Sequence, residues 1–118
     1  MRRAASRLAV VLLLAALFGC SGYRSGRQAQ ISEQRGDWDQ AVLDYLELVD
    51  RYPGKLSYRI GLLRSKMKAS QEHFERGKEF HASGSLDRAL EEYVQAVQLD
   101  RSNQYAQVEL QKLSREIA

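Results

Sequence analysis

Two stretches of this chain, 48 residues apart, carry one pattern: Arg35-Gly36-Asp37-Trp38-Asp39-Gln40-Ala41 and Ser83-Gly84-Ser85-Leu86-Asp87-Arg88-Ala89. In each, a glycine stands where a helix C-terminus takes a left-handed residue, a capping residue follows, and a new helix begins. The register holds beyond the turns. Ala41, Tyr45, Leu48 and Pro53 follow Gly36 by 5, 9, 12 and 17 residues, and Ala89, Tyr93, Ala96 and Arg101 follow Gly84 by the same intervals. Such a repeat confines the chain to stacked helix-turn-helix units, because each unit can bury its apolar face only against a neighbour. One proline in 118 residues, with abundant Ala, Leu, Gln, Glu and Arg, agrees with an all-α fold. The length excludes a multidomain enzyme with a large buried active site. Asp37 with Gln40 reads as an Asp-x-x-Gln capping box, and Ser85 as a plain N-cap.

This spacing resembles the tetratricopeptide repeat (TPR), a helix-turn-helix of about 34 residues with small residues where its helices cross and aromatics beside them. The resemblance covers residues 22 to 55 and 70 to 103. In the second copy Gly77 and Phe80 take the small and aromatic positions of the first helix, and Leu99-Asp100 stands where the family has Leu-Asp-Pro. In the first copy Ala29 takes the small position and Pro53 is present. His73, Arg76 and Arg101 depart from the family's Trp, Leu and Pro, and Gln28 and Ser32 replace apolar residues. The resemblance implies antiparallel helix hairpins of TPR type.

A 48-residue interval exceeds the family's repeat by two heptads. No breaker occurs between Ser57 and Ala82, which predicts one long helix of about 26 residues and about 39 Å joining the repeats. Along it Ile60, Leu63, Met67, Phe74 and Gly77 fall on an a/d-like stripe, with Ser70 in its middle. Its halves are expected to pack on helices over 38–52 and 86–100. A last helix, Gln104 to Ile117, capped by Ser102 or Asn103, would cover the end of the second repeat with Ala106, Leu110, Leu113 and Ile117.

The N-terminus has a different character. Arg2, Arg3 and Arg7 precede the apolar run Leu8 to Phe18, eleven residues and too short to span a bilayer's hydrocarbon core. Leu17-Phe18-Gly19-Cys20 resembles a bacterial lipobox, which implies cleavage before Cys20 and its lipidation. Residues 1–19 are then a lipoprotein signal peptide, 20–26 a lipidated N-terminus with a flexible spacer, and 27–118 a TPR-like helical domain. Ser21, where Asp would signal inner-membrane retention, implies an outer-membrane lipoprotein facing the periplasm. The net charge of +3 belongs to the signal: without its three arginines, fifteen Lys and Arg balance fifteen Asp and Glu. A nucleic-acid partner loses its support.

Nothing in the pattern suggests catalysis. The chain has one cysteine and no His-Glu-x-x-His, phosphate loop or nucleophile elbow. His73 and His81 are eight residues apart on one predicted helix, about 12 Å of rise, and cannot share a metal. Glu91-Glu92 and the Asp37/Asp39 pair read as solvated carboxylates at helix starts or on exposed faces. No enzyme, cofactor or metal site is expected. Charge is segregated: five acids and no base from Asp37 to Asp50, six bases and no acid from Arg51 to Lys68. The two runs suit complementary antiparallel helices, or an acidic partner or lipid head groups facing the basic half of the long helix.

The implied TPR groove places Gln71, Phe74, Lys78 and His81 on its concave side, without the Lys/Asn/Arg set that clamps a C-terminal carboxylate in chaperone-binding TPRs. Ile60, Leu63 and Met67 form a second candidate surface, for a protein partner or a second copy of the chain. The lipobox, Gly36-Asp37-Trp38-Asp39-Gln40-Ala41-Val42, Ser70-Gln71-Glu72-His73-Phe74-Glu75-Arg76-Gly77 and Asp100-Arg101-Ser102-Asn103-Gln104-Tyr105-Ala106 together look like the N-terminal TPR segment of some secretins of type II secretion and type IV pilus systems. That resemblance implies a membrane-anchored scaffold in assembly of a secretion or pilus complex. A structural envelope lipoprotein without a specific ligand, or a truncated secretin N-terminal segment, are the alternatives.

Overall fold

The computed structural model describes residues 26–118, which form five α-helices and no strand. Helix α1 is described over residues 26–34. It is followed by α2 (Trp38–Arg51), α3 (Leu56–Ala82), α4 (Leu86–Leu99) and α5 (Gln104–Ile117). The architecture is an all-α series of helix hairpins. Contacts gather the chain into two compact units, one ending at Arg59 and the other running Ile60–Ala118. The boundary between the units falls within α3, which runs unbroken for 27 residues.

The two repeated turns close by the same bonds. Gly36 and Gly84 have φ of 70° and 81°, values at which a Cβ is strained. After α1 the Asp37 N–H donates to Ser32 O (3.0 Å) and the Gly36 N–H to Glu33 O (3.0 Å). After α3 the Ser85 N–H donates to Phe80 O (2.9 Å) and the Gly84 N–H to His81 O (3.1 Å). This pair of bonds is the Schellman closure, which satisfies carbonyls the helix ends would otherwise leave orphaned. The caps that follow differ from expectation. Asp37 accepts from the Gln40 N–H (3.3 Å), but the Gln40 amide turns away and donates to Asp44 (2.9 Å), so the reciprocal half of the capping box is missing. Ser85 occupies the N-cap of α4 without a capping bond from its side chain. Asn103 caps α5, accepting from the Ala106 N–H at 3.1 Å.

In the first unit Ala29 of α1 and Ala41, Val42, Tyr45 and Leu48 of α2 are buried. Ser32, in a position where the resembled family is apolar, is 3% exposed and donates to Asp44 (2.7 Å), while the Tyr45 hydroxyl donates to Glu33. The second unit is built around Tyr93, Ala89 and Leu113, each fully buried, with Phe74, Phe80, Leu86, Leu90 and Leu110 packed against them. Gly77 lets the Tyr93 ring lie against the α3 backbone: a Cβ built there would stand 2.5 Å from two ring carbons. Of the four α5 residues expected to cover this core, Ile117 remains 44% exposed.

The buried face of α3 follows the a/d stripe read from the sequence only in its second half, at Ser70, Phe74 and Gly77. Ile60, Leu63 and Met67 are 49%, 61% and 52% exposed, whereas Gly61, Ser65, Ala69, Ser70 and Gly77 are buried. Gly61, Ser65, Ala69, the half-buried His73 and Gly77 form one row spaced by four residues. Each such step turns about 40° around the helix at 3.6 residues per turn. The buried row therefore starts opposite the large apolar side chains and winds toward them, so that Phe74 is half-buried where Ile60 is exposed.

Candidate functional site

The described residues that bring chemistry together lie within the second unit. An open groove of about 700 Å³ runs between α3 and the start of α5. From α3 it is lined by Met67, Lys68, Gln71, Phe74 and Lys78, and across from them by Asn103 and Tyr105. A smaller hollow continues from Phe74 and Lys78 to His81, Tyr93 and Glu109. The four residues expected on the concave side, Gln71, Phe74, Lys78 and His81, thus border one continuous surface.

Aromatic rings form its floor. Phe74 lies 6.0 Å from Tyr93 and 6.5 Å from Tyr105 between ring centroids, and His81 stands edge-on to Tyr93 at 6.3 Å. The Lys78 ammonium sits 5.0 Å over the Phe74 ring and pairs with Glu75 at 2.7 Å. Burial, then the carboxylates of Glu109 and Glu75, raise the Tyr93 phenol above its ordinary value. The rim therefore carries cations and carboxylates in mixture over an apolar floor, with Tyr105 78% exposed at its edge.

Asn103 holds the groove's far wall in place. Its amide donates to the Ser70 hydroxyl (3.0 Å), which in turn donates to the Ala96 carbonyl (2.7 Å), while its side-chain oxygen caps α5. One residue thereby ties α3, α4 and α5 together beside Tyr105.

His73 and Arg76, which replace apolar residues of the resembled family, converge on Glu92. The imidazole Nδ1 lies 2.6 Å from Glu92 Oε2 and the Arg76 Nε donates to the same oxygen at 3.3 Å. Glu92 is not the solvated carboxylate its sequence suggests: it sits mid-α4, pairs with α3 and its side chain is 21% exposed. Its charge is held by two partners rather than by water. His81 reaches Glu116 at 2.9 Å, so the two histidines serve separate helix contacts. Among the described residues no group of three His, Cys, Asp or Glu is placed to hold a metal ion.

Sequence reasoning missed Tyr105 and Asn103 as groove residues, since no periodicity links them to Phe74. The Asn103 capping signal was present, but it bears on α5 alone. Cys20, the signal peptide and the spacer up to Ser25 lie outside the described residues. Within the described residues no helix is long and apolar enough to cross a membrane. No protein-family model matches the chain, and no curated protein matches it.

Proposed function

We propose that this chain is a membrane-anchored scaffold of TPR type that binds protein partners in the bacterial envelope, in the assembly or recruitment of a secretion or pilus complex. The observation that carries the reading is the groove on α3 and α5. It is open along its length, floored by Phe74 and Tyr105 and rimmed by separate polar groups, which suits a peptide segment better than an enclosed small substrate. Equivalent packing in the two hairpins supports the TPR assignment: Ala29 and Gly77, Ala41 and Ala89, Tyr45 and Tyr93, Leu48 and Ala96 are buried in both, beneath glycine turns of the same conformation. The Leu17-Phe18-Gly19-Cys20 pattern supports a lipid anchor and an outer-membrane, periplasm-facing location.

Two measurements test it. In cells, Cys20→Ser should move the protein from the membrane to the soluble fraction; retention in the pellet refutes the anchor. A photo-reactive phenylalanine analogue at Tyr105 should give envelope adducts of discrete mass, and the same analogue at Glu91, exposed on α4, should not. Equal labelling from both positions refutes the groove.

A further inference from the structure

The apolar run on α3 from Ile60 to Met67 is exposed, and only Met67 of it borders that groove. Ile60, Leu63 and Met67 occupy successive a and d positions over about 10 Å, and the run ends there, because Ser70 at the next d position is buried and Phe74 packs against the Tyr93 core. It faces away from the row of Gly61, Ser65 and Ala69, so the helix presents two opposed faces, one buried and small, the other exposed and large. In that register the flanking e and g positions are Arg64 and Lys66, followed by Gln71 and His73, with Lys68 beside them. No acid occurs between Arg51 and Gln71.

These charges choose among occupants. A second copy of the chain docked on the run, in parallel or antiparallel, would bring Arg64 and Lys66 against the same residues of its partner. Like charges beside a coiled-coil seam oppose that pairing. A helix with Leu or Ile on its a and d positions and Glu on e and g meets both the seam and its flanks. We infer that the exposed face of α3 from Ile60 to Met67 is a docking surface for an acidic amphipathic helix of a partner protein, which packs along α3 in coiled-coil fashion over that heptad. This deepens the scaffold reading by naming the partner's chemistry, and it rests on that reading only in taking the chain for a binder.

The probe is a labelled synthetic helix of about three heptads with Leu at a and d and Glu at e and g, against the same helix carrying Lys at e and g. Each is titrated by fluorescence anisotropy with the full chain held in phosphatidylcholine nanodiscs. The Glu helix should bind at least about tenfold more tightly than the Lys helix and weaken with salt. Leu63→Glu should lower its affinity by about tenfold or more, and the pair Lys66→Glu and Lys68→Glu should shift preference toward the Lys helix. Circular dichroism checks that Leu63→Glu, at a 61% exposed position, keeps its fold. If it does not, the lysine reversal decides alone. Equal affinity for the two helices, no binding, or binding indifferent to these substitutions overturns the inference. So does a Leu63-dependent dimer in sedimentation, or Leu63-dependent capture by phosphatidylglycerol vesicles, without peptide binding. The groove reading fails separately, through the Tyr105 adducts.

Discussion

Replacing Gly77 by alanine sets two effects on one atom against each other. In an isolated helix the change is favourable by up to about 1 kcal/mol, because alanine has the higher helix propensity. In this helix the new Cβ would stand 2.5 Å from Cδ1 and Cε1 of Tyr93 and 3.3 Å from its Cγ. Carbon atoms prefer about 3.5–4.0 Å, so the ring has to retreat by about 1 Å. It has little room to do so: Tyr93 is fully buried, with Ala89, Leu113, Phe74 and Phe80 around it. Overpacking of this kind costs about 1–3 kcal/mol. The propensity gain offsets part of that, leaving a net loss of about 0.5–2 kcal/mol and a Tm lowered by roughly 3–15 °C for a domain of this size. Far-UV circular dichroism melts of Gly77→Ala measure it, beside Gly54→Ala, whose Cβ meets no heavy atom within 4 Å and which should shift stability by less than about 0.5 kcal/mol. A double-mutant cycle with Tyr93→Leu should show coupling of at least about 0.5 kcal/mol, since the smaller side chain makes space for the Cβ. A Gly77→Ala protein that melts at or above the parent's temperature refutes the close approach of Tyr93 to α3.

Two further outcomes follow from the same unit. Asn103→Ala removes the α5 cap and the bond to Ser70, and urea denaturation should show a loss of about 1–2 kcal/mol, well beyond that of the neighbouring exposed Ser102→Ala; equal losses would refute the bracing role. Tyr93 holds its proton more firmly folded than unfolded, where the phenol titrates near 10.0, so above that pH the unfolded chain releases a proton the folded one keeps and stability falls as pH rises. Tyr93→Phe should lack this contribution, and the difference in Tm between parent and variant should change steadily between about pH 9 and about pH 11; a constant difference counts against the buried phenol.

What the sequence by itself determined is local in origin. The glycine turns at Gly36 and Gly84, the unbroken helix Leu56–Ala82, and the Asn103 cap each follow from backbone preferences acting over a few residues at a time, and such signals survive without knowledge of neighbours. The 48-residue register placed Tyr45 and Tyr93, Ala41 and Ala89 in equivalent buried positions for the same reason. Tertiary structure decided which face of α3 is covered. In the first half of α3 hydrophobic periodicity weights large side chains and selects Ile60, Leu63 and Met67, but close packing rewards the absence of volume, and Gly61, Ser65 and Ala69, spaced by four, are the residues buried. Tertiary structure also made Glu92 an ion-pair partner of His73 and Arg76, and joined Phe74 to Tyr105 in one groove. These are pairings between helices distant in sequence, and no local pattern encodes them, because the free energy of each arises only when the two helices meet.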